Sequence, residues 1–249
     1  MSFLSVEGIS RRFPGGDFAL KDIRFDIREG ETAVLAGRNG SGKTVLMKHL
    51  NGLLLPDSGS VTFRGKDTRK NGPWIRRRVG LVFQDADACL VGDTVLEDIL
   101  FGPENLGRPR EESEERAGEI LSRLDLWNKR HLPPRFLSGG ERKKLTIGGL
   151  LVMDPELLIL DEPFVGLDYP GVREILELIL KLQEEGRSLL IISHDLEKIL
   201  AHAQRLLLMD EGRLAAQGAP EDLLGMLEEK GIRRPPGRNV REMTWLTCC

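Results

Sequence analysis

The stretch Gly37-Arg38-Asn39-Gly40-Ser41-Gly42-Lys43-Thr44 decides how this chain reads. It fits the phosphate-cradling pattern G-x-x-x-x-G-K-[ST], and its surroundings fit as well. The apolar run Glu31 to Ala36 before it reads as a buried strand, and Val45 to Asn51 after it reads as helix. Each residue type has a physical reason. Glycines let backbone N–H groups converge on phosphate oxygens, and the helix that follows adds its positive end. Lys43 brings a mobile point charge to the β- and γ-phosphates of a nucleotide, and the Thr44 hydroxyl suits Mg²⁺. Arg38, Asn39, Gly40, Ser41, Gly42 and Val45 complete the expected nucleotide-binding segment.

Such a loop needs a second metal-binding carboxylate at the end of a neighbouring strand. Asp161 follows the apolar run Leu157 to Leu160 and fits that role. Glu162 comes next, where it can polarise a water aimed at the γ-phosphate. A hydrolase needs that second carboxylate, whereas a phosphate-loop kinase aims a substrate hydroxyl instead. Leu137-Ser138-Gly139-Gly140-Glu141 reads as a helix start whose free N–H groups could face an anion. A plain helix N-cap at Ser138 accounts for the same residues.

Further out, apolar runs alternate with helical periodicity, the pattern of an α/β protein with a mostly parallel sheet. Val79 to Phe83, Leu157 to Leu160, Ser188 to Ile192 and Leu206 to Met209 are buried-strand candidates, the last with a hairpin partner at Arg213 to Ala216. Phe3 to Ile9 and Ile23 to Ile27 alternate and suit a small antiparallel sheet. Between Pro109 and Leu126 the pattern predicts a charged amphipathic helix, with Ala117, Ile120, Leu121 and Leu124 on one face. Glu112/Arg116 and Glu119/Arg123 are its expected i,i+4 pairs. Val172, Ile175, Leu176, Ile179 and Leu180 form another core-facing stripe. After Gly231 the chain has no periodicity and reads as a poorly ordered tail unless a partner holds it. The expected organisation is one domain over 1–230, with a helical subdomain near 86–145, and a tail over 231–249.

The 249 residues are 40% hydrophobic and 30% charged, enough apolar material for a sizeable core, so a wholly disordered chain is excluded. Lys plus Arg number 36 against 39 Asp plus Glu, a net charge of −3 that argues against nucleic acid as a partner. Aromatics at 5% argue against a base-stacking surface. Cys89, Cys248 and Cys249 cannot build a disulfide framework, which points to a reducing compartment. No secretion signal opens the sequence, and no apolar run approaches the roughly 18–20 residues a membrane span needs. The Cys248-Cys249 ending is not a C-a-a-X lipidation signal.

Taken together, these motifs resemble the ATP-binding subunits of ATP-binding cassette (ABC) transporters. In order they are the phosphate loop at 37–44, Gln84 after a strand, the signature at 137–141, Leu157 to Glu162, Gly166-Leu167-Asp168, and His194 in Ser193-His194-Asp195. The resemblance covers about residues 1–225. It implies a P-loop NTPase (RecA-like) core with a small antiparallel subdomain and a helical signature subdomain. It also implies ATP sandwiched between the phosphate loop of one copy and the signature of another. Ser138 and Gly140, with Gly139 between them, would then touch the γ-phosphate of the partner's nucleotide. Gln84 would approach Mg²⁺ and the attacking water, Asp168 would link the two sites, His194 would clamp the γ-phosphate, and Glu162 would be the general base. Phe13 is the leading candidate to stack on adenine, with Phe18 as the alternative and a plain core role open for either.

Val82 to Asp87, Thr94 to Asp98 and Phe101 to Gly107 resemble the energy-coupling factor branch, which drives uptake of vitamins, cobalt or nickel. Ala86 and Cys89 stand where that branch has Pro and a second Gln, and Phe164 replaces the usual Thr or Ser. The implied protein is a peripheral ATPase on the cytoplasmic face of the membrane, with an integral membrane subunit and a second cassette, identical or related, as partners. A soluble ABC ATPase acting in assembly or on nucleic acid is the alternative. A phosphate-loop kinase has no use for the signature or His194.

Overall fold

The structure, a computed structural model, describes residues 2–13, 15–237 and 239–246. One sheet is antiparallel. It contains β1 (Leu4–Arg12), β2 (Phe18–Ile27), β4 (Ser58–Phe63) and β5 (Lys66–Asp67), in the order β2-β1-β4-β5. The other contains β3 (Thr32–Gly37), β6 (Val79–Val82), β7 (Leu157–Asp161), β8 (Ser188–Ile192), β9 (Arg205–Asp210) and β10 (Arg213–Gly218), in the order β10-β9-β3-β8-β7-β6. Its pairings are parallel except the β9–β10 hairpin. The helices are α1 (Lys43–Leu50), α2 (Thr68–Arg76), α3 (Val95–Asn105), α4 (Arg110–Arg123), α5 (Gly139–Leu151), α6 (Tyr169–Glu184) and α7 (Pro220–Leu223). This is the α/β, mostly parallel architecture that the sequence predicts. Helices α3, α4 and α5 lie between β6 and β7 in the chain.

Successive residues of a strand point to opposite faces, and the central strands sort their side chains accordingly. Ala33 and Leu35 of β3 join one core with Leu20, Ile23 and Phe63 of the antiparallel sheet and Leu46 and Met47 of α1. Val34 and Ala36 join a second core with Ile99, Leu121, Leu145, Val172 and Ile179 of the helices. Strands β3, β7 and β8 are buried along their whole length, as parallel strands covered on both faces must be. Phe164, the departure from the expected Thr or Ser, is buried in the helical core.

Two expectations are corrected. The helix over 110–123 forms, but Arg116 and Arg123 leave their own helix, pairing with Asp154 at 3.2 Å and with Glu185 at 2.8 Å, and its i,i+4 pair is instead Arg110–Glu114 at 2.7 Å. Tertiary carboxylates within reach replace the expected i,i+4 partners of those two. The segment after Gly231, expected to be poorly ordered, lies on the helical core, with Ile232, Val240 and Met243 buried there. Thr244 hydrogen-bonds His202 at 2.7 Å, and the Trp245 ring lies 5.4 Å from that of Tyr169. Irregularly spaced anchors seat it, so no period announces it. Cys248 and Cys249 lie outside the described residues.

Candidate active site

The phosphate loop turns from β3 into α1, and its shape depends on missing side chains. Gly42 has φ 100°, and a Cβ there would come within 2.6 Å of the Ala19 carbonyl oxygen. A Cβ on Gly37 would meet the Met209 carbonyl oxygen at 2.5 Å. The loop is braced from outside: Gly212 N–H donates to the Ser41 carbonyl at 3.1 Å, and Lys21 N–H donates to Gly212 at 2.7 Å. The β9–β10 turn and β2 therefore hold the loop. Helix α1 begins at Lys43, two residues ahead of the predicted start.

Lys43 is buried, and its Nζ donates to the carbonyls of Gly37 at 2.6 Å and Arg38 at 3.0 Å. Burial pushes its pKa down, while the Glu162 and Asp161 carboxylates push it up. Thr44 Oγ1 donates to Asp161 at 3.4 Å, joining the loop to the end of β7. Burial raises the Asp161 pKa, and the neighbouring Glu162 charge raises it further, against the Thr44 hydrogen bond and the Lys43 charge. Parallel pairing of β7 with β8 brings Glu162 to His194: Glu162 N–H donates to the Ile192 carbonyl at 2.9 Å. Glu162 Oε1 accepts from His194 Nδ1 at 2.7 Å and from His194 N–H at 3.1 Å. A carboxylate only accepts, so Nδ1 carries the proton. Glu162 holds φ 47°, left-handed for a residue with a side chain, a strain of about 1–3 kcal/mol that these bonds offset.

A cleft of about 390 Å³ gathers Phe13, Phe18, Asn39, Gly40, Gly42, Lys43, Thr44, Val45, Gln84, Asp161 and Glu162. Both aromatic candidates line it. Arg12 covers the Phe18 ring at 4.3 Å, and Phe13 is the more exposed of the two at 53%. His194 reaches the cleft through Glu162. Ser138, Gly139, Gly140 and Asp168 are not among the described residues that line it. Ser138 caps α5 in a reciprocal box with Glu141, and Asp168 caps α6 by accepting from Gly171 N–H at 3.0 Å. Sequence reasoning missed Lys21, Glu211 and Gly212 on the cleft wall and Lys143 behind Gln84. Only the turn signal Asp210-Glu211-Gly212 pointed to any of them, and it said nothing of the cleft.

The residues fit Mg²⁺ and a nucleotide. Thr44, Asp161 and Gln84 offer hard oxygen donors and leave the remaining positions to phosphate oxygens, the usual arrangement for this ion. Ser41 Oγ is buried in the loop without a hydrogen-bond partner among the described residues, and Ser41 is not among the described residues lining the cleft.

A sequence profile described as ABC transporter matches residues 20–165. The chain belongs to the ABC transporter family. This ABC ATPase is 42% identical to the cobalt import ATP-binding protein CbiO of Rhodobacter capsulatus, over 93% of this chain and 85% of that one. It is 37% identical to the energy-coupling factor transporter ATP-binding protein EcfA of Methanocaldococcus jannaschii, over 92% of this chain and 83% of that one. Among solved structures, cbiO1 of Clostridium perfringens, part of the cbiONQ transporter complex, superposes with a TM-score of 0.82 at 35% identity, covering 93% and 95% of the two chains. The energy-coupling factor branch of the family is thus supported over nearly the whole ABC ATPase chain.

Proposed function

We propose that this ABC ATPase drives uptake of a micronutrient, a vitamin or a transition-metal ion, through an integral membrane subunit on whose cytoplasmic side it sits. Among the described residues no helix is long and apolar enough to cross a membrane, so the permeation path would belong to partners. The observation that carries the reading is a divided site. The phosphate loop, Asp161, Gln84 and Glu162 share one cleft, while Ser138 to Gly140 stand outside it on α5. A second cassette, identical or related, would bring its own Ser138-Gly139-Gly140 equivalent to the γ-phosphate and complete the site. The names of the relatives, cobalt import and energy-coupling factor transporter subunits, support the cargo class.

The chemistry assigned to these residues is hydrolysis. Lys43 and the loop N–H groups hold the β- and γ-phosphates. Glu162 takes the proton of a water attacking the γ-phosphorus as the bond to ADP breaks. His194, hydrogen-bonded to Glu162, keeps that carboxylate aimed and would clamp the γ-phosphate. Thr44, Asp161 and Gln84 would hold Mg²⁺, which when bound offsets charge on the phosphate oxygens. ATP favours the closed pair because both halves contact it, and hydrolysis removes that preference.

Glu162→Gln tests the reading. Hydrolysis is expected to fall roughly 10²–10⁴-fold, the range for losing a general base, while ATP binding survives. Size-exclusion chromatography with Mg²⁺-ATP should then show a stable dimer, absent in Glu162→Gln/Ser138→Arg. If closure needs a different cassette, Glu162→Gln stays monomeric until that chain is added. Wild-type turnover in Glu162→Gln would remove it as the base and make His194 the next candidate.

A further inference from the structure

Lys143 is 2% exposed on α5, and its Nζ donates to the backbone carbonyl of Gln84 at 2.7 Å. Taking an ammonium out of water costs several kcal/mol unless hydrogen bonds replace the lost hydration. Helix packing alone gives no reason for a charge here, since Leu145, Ile147 and Leu151 of the same helix fill the core with apolar groups. One thing the charge achieves is visible at this acceptor. Gln84 lies in the loop just beyond β6, with its backbone pinned and its side chain exposed on the cleft beside Asp161 and Glu162. Burial raises the Asp161 and Cys89 pKa values, and the Lys143 charge opposes both rises.

We infer that Lys143 is a positioning residue, fixing Gln84 to α5 so that the signature helix and the catalytic cleft move together. The inference rests on the ATPase reading and deepens it. Helix α5 begins at the Ser138 cap, so a displacement of its N-terminus by a second nucleotide passes through Lys143 to Gln84. The hydrogen bond spans two elements that the chain separates by 59 positions, and nothing in the signature pattern demands it.

Steady-state ATPase kinetics of the full chain test it, with Lys143→Met, Lys143→Arg, Gln84→Ala and Gln84→Ala/Lys143→Met. Lys143→Met is expected to lower kcat about tenfold and to change KM for ATP less than about twofold, because the phosphate loop is untouched. Lys143→Arg keeps a charged donor and should recover most of kcat. In the Gln84→Ala background the Met replacement should cost nothing further, since the group being positioned is gone. A merely structural lysine would give additive losses in that cycle, and this result overturns the inference. Wild-type kcat in a folded Lys143→Met protein overturns it as well. If Lys143→Met does not fold, Lys143→Gln carries the test, because it keeps a neutral donor of similar size. A roughly threefold loss of kcat at unchanged KM then supports the inference, and wild-type kcat sinks it. Lys43→Ala and Glu162→Gln in the same assay separate the two readings. Wild-type turnover in both would defeat the ATPase reading; loss in both with no loss in Lys143→Met defeats only the role of Lys143.

Discussion

Asp161 shows at one residue what the site costs the fold. Its carboxyl is buried beside Glu162, so its folded pKa is raised above that of the unfolded chain. The folded protein then binds that proton more tightly than the unfolded one. Stability without nucleotide therefore falls as pH rises from the ordinary carboxylate value through the raised one, and stays reduced at neutral pH. Asp161→Asn removes the buried charge at nearly the same shape. In calorimetry without nucleotide at pH 7, its melting temperature is expected to rise by roughly 2–4 °C, the effect of about 1 kcal/mol on a domain this size. Its ATPase activity should be lost in the same preparation, because the proposed Mg²⁺ ligand would be gone. An unchanged or lower melting temperature would mean that the Thr44 bond outweighs the burial of the charge.

Between elements, the phosphate loop is an agreement among β2, α1 and the β9–β10 turn rather than a property of its own glycines. Gly42 gives way on two counts, a left-handed backbone and the Ala19 carbonyl 2.6 Å from where a Cβ would stand. Gly42→Ala is expected to cost about 2 kcal/mol, one part conformational and one part steric. Its melting temperature should drop by about 4–8 °C, and titration with a fluorescent ATP analogue should show binding weakened more than tenfold. Normal affinity in that variant would show that the loop tolerates a shift at the start of α1. At α5 the structure shows the cap reading of Ser-Gly-Gly, and the anion-facing reading stays a proposal. Ser138 is a helix cap in this state, with Lys129 further securing Glu141 at 2.5 Å, and the same cap stands outside the cleft, free to face a second chain.

For the whole molecule, the segment after Gly231 is where expectation and structure part most clearly. Its anchors close the helical core and tie His202 and Tyr169 to the end of the chain. Tyr169 follows Asp168, and His202 lies in the stretch that leads from His194 to β9, so the segment touches two of the elements bearing site residues. A chain ending at Gly231 loses the burial of Ile232, Val240 and Met243. With the ordering entropy it no longer needs, a net loss of roughly 2–4 kcal/mol remains. Thermal melting should fall by about 5–10 °C. A truncated chain that melts with the full-length one would return the segment to the status of an unattached tail.

The sequence by itself determined the strands of the mostly parallel sheet, the phosphate loop and the carboxylates at the end of β7, because each is written in adjacent residues, while β4 and β5 of the antiparallel sheet went unread. Continuous apolar runs mark strands covered on both faces, and Gly-x-x-x-x-Gly-Lys-Thr leaves the backbone little choice. It also placed Glu162 and His194 in one mechanism by resemblance, without being able to set them 2.7 Å apart. Only the tertiary structure decided which partners Arg116 and Arg123 of α4 take, where the irregular anchors after Gly231 dock, and that Lys143 is buried against Gln84. The physical reason is the same in each case. Periodicity and motif record what neighbours along the chain do to one another, whereas a charge finds its partner, and an isolated apolar side chain its cavity, only after distant elements have packed.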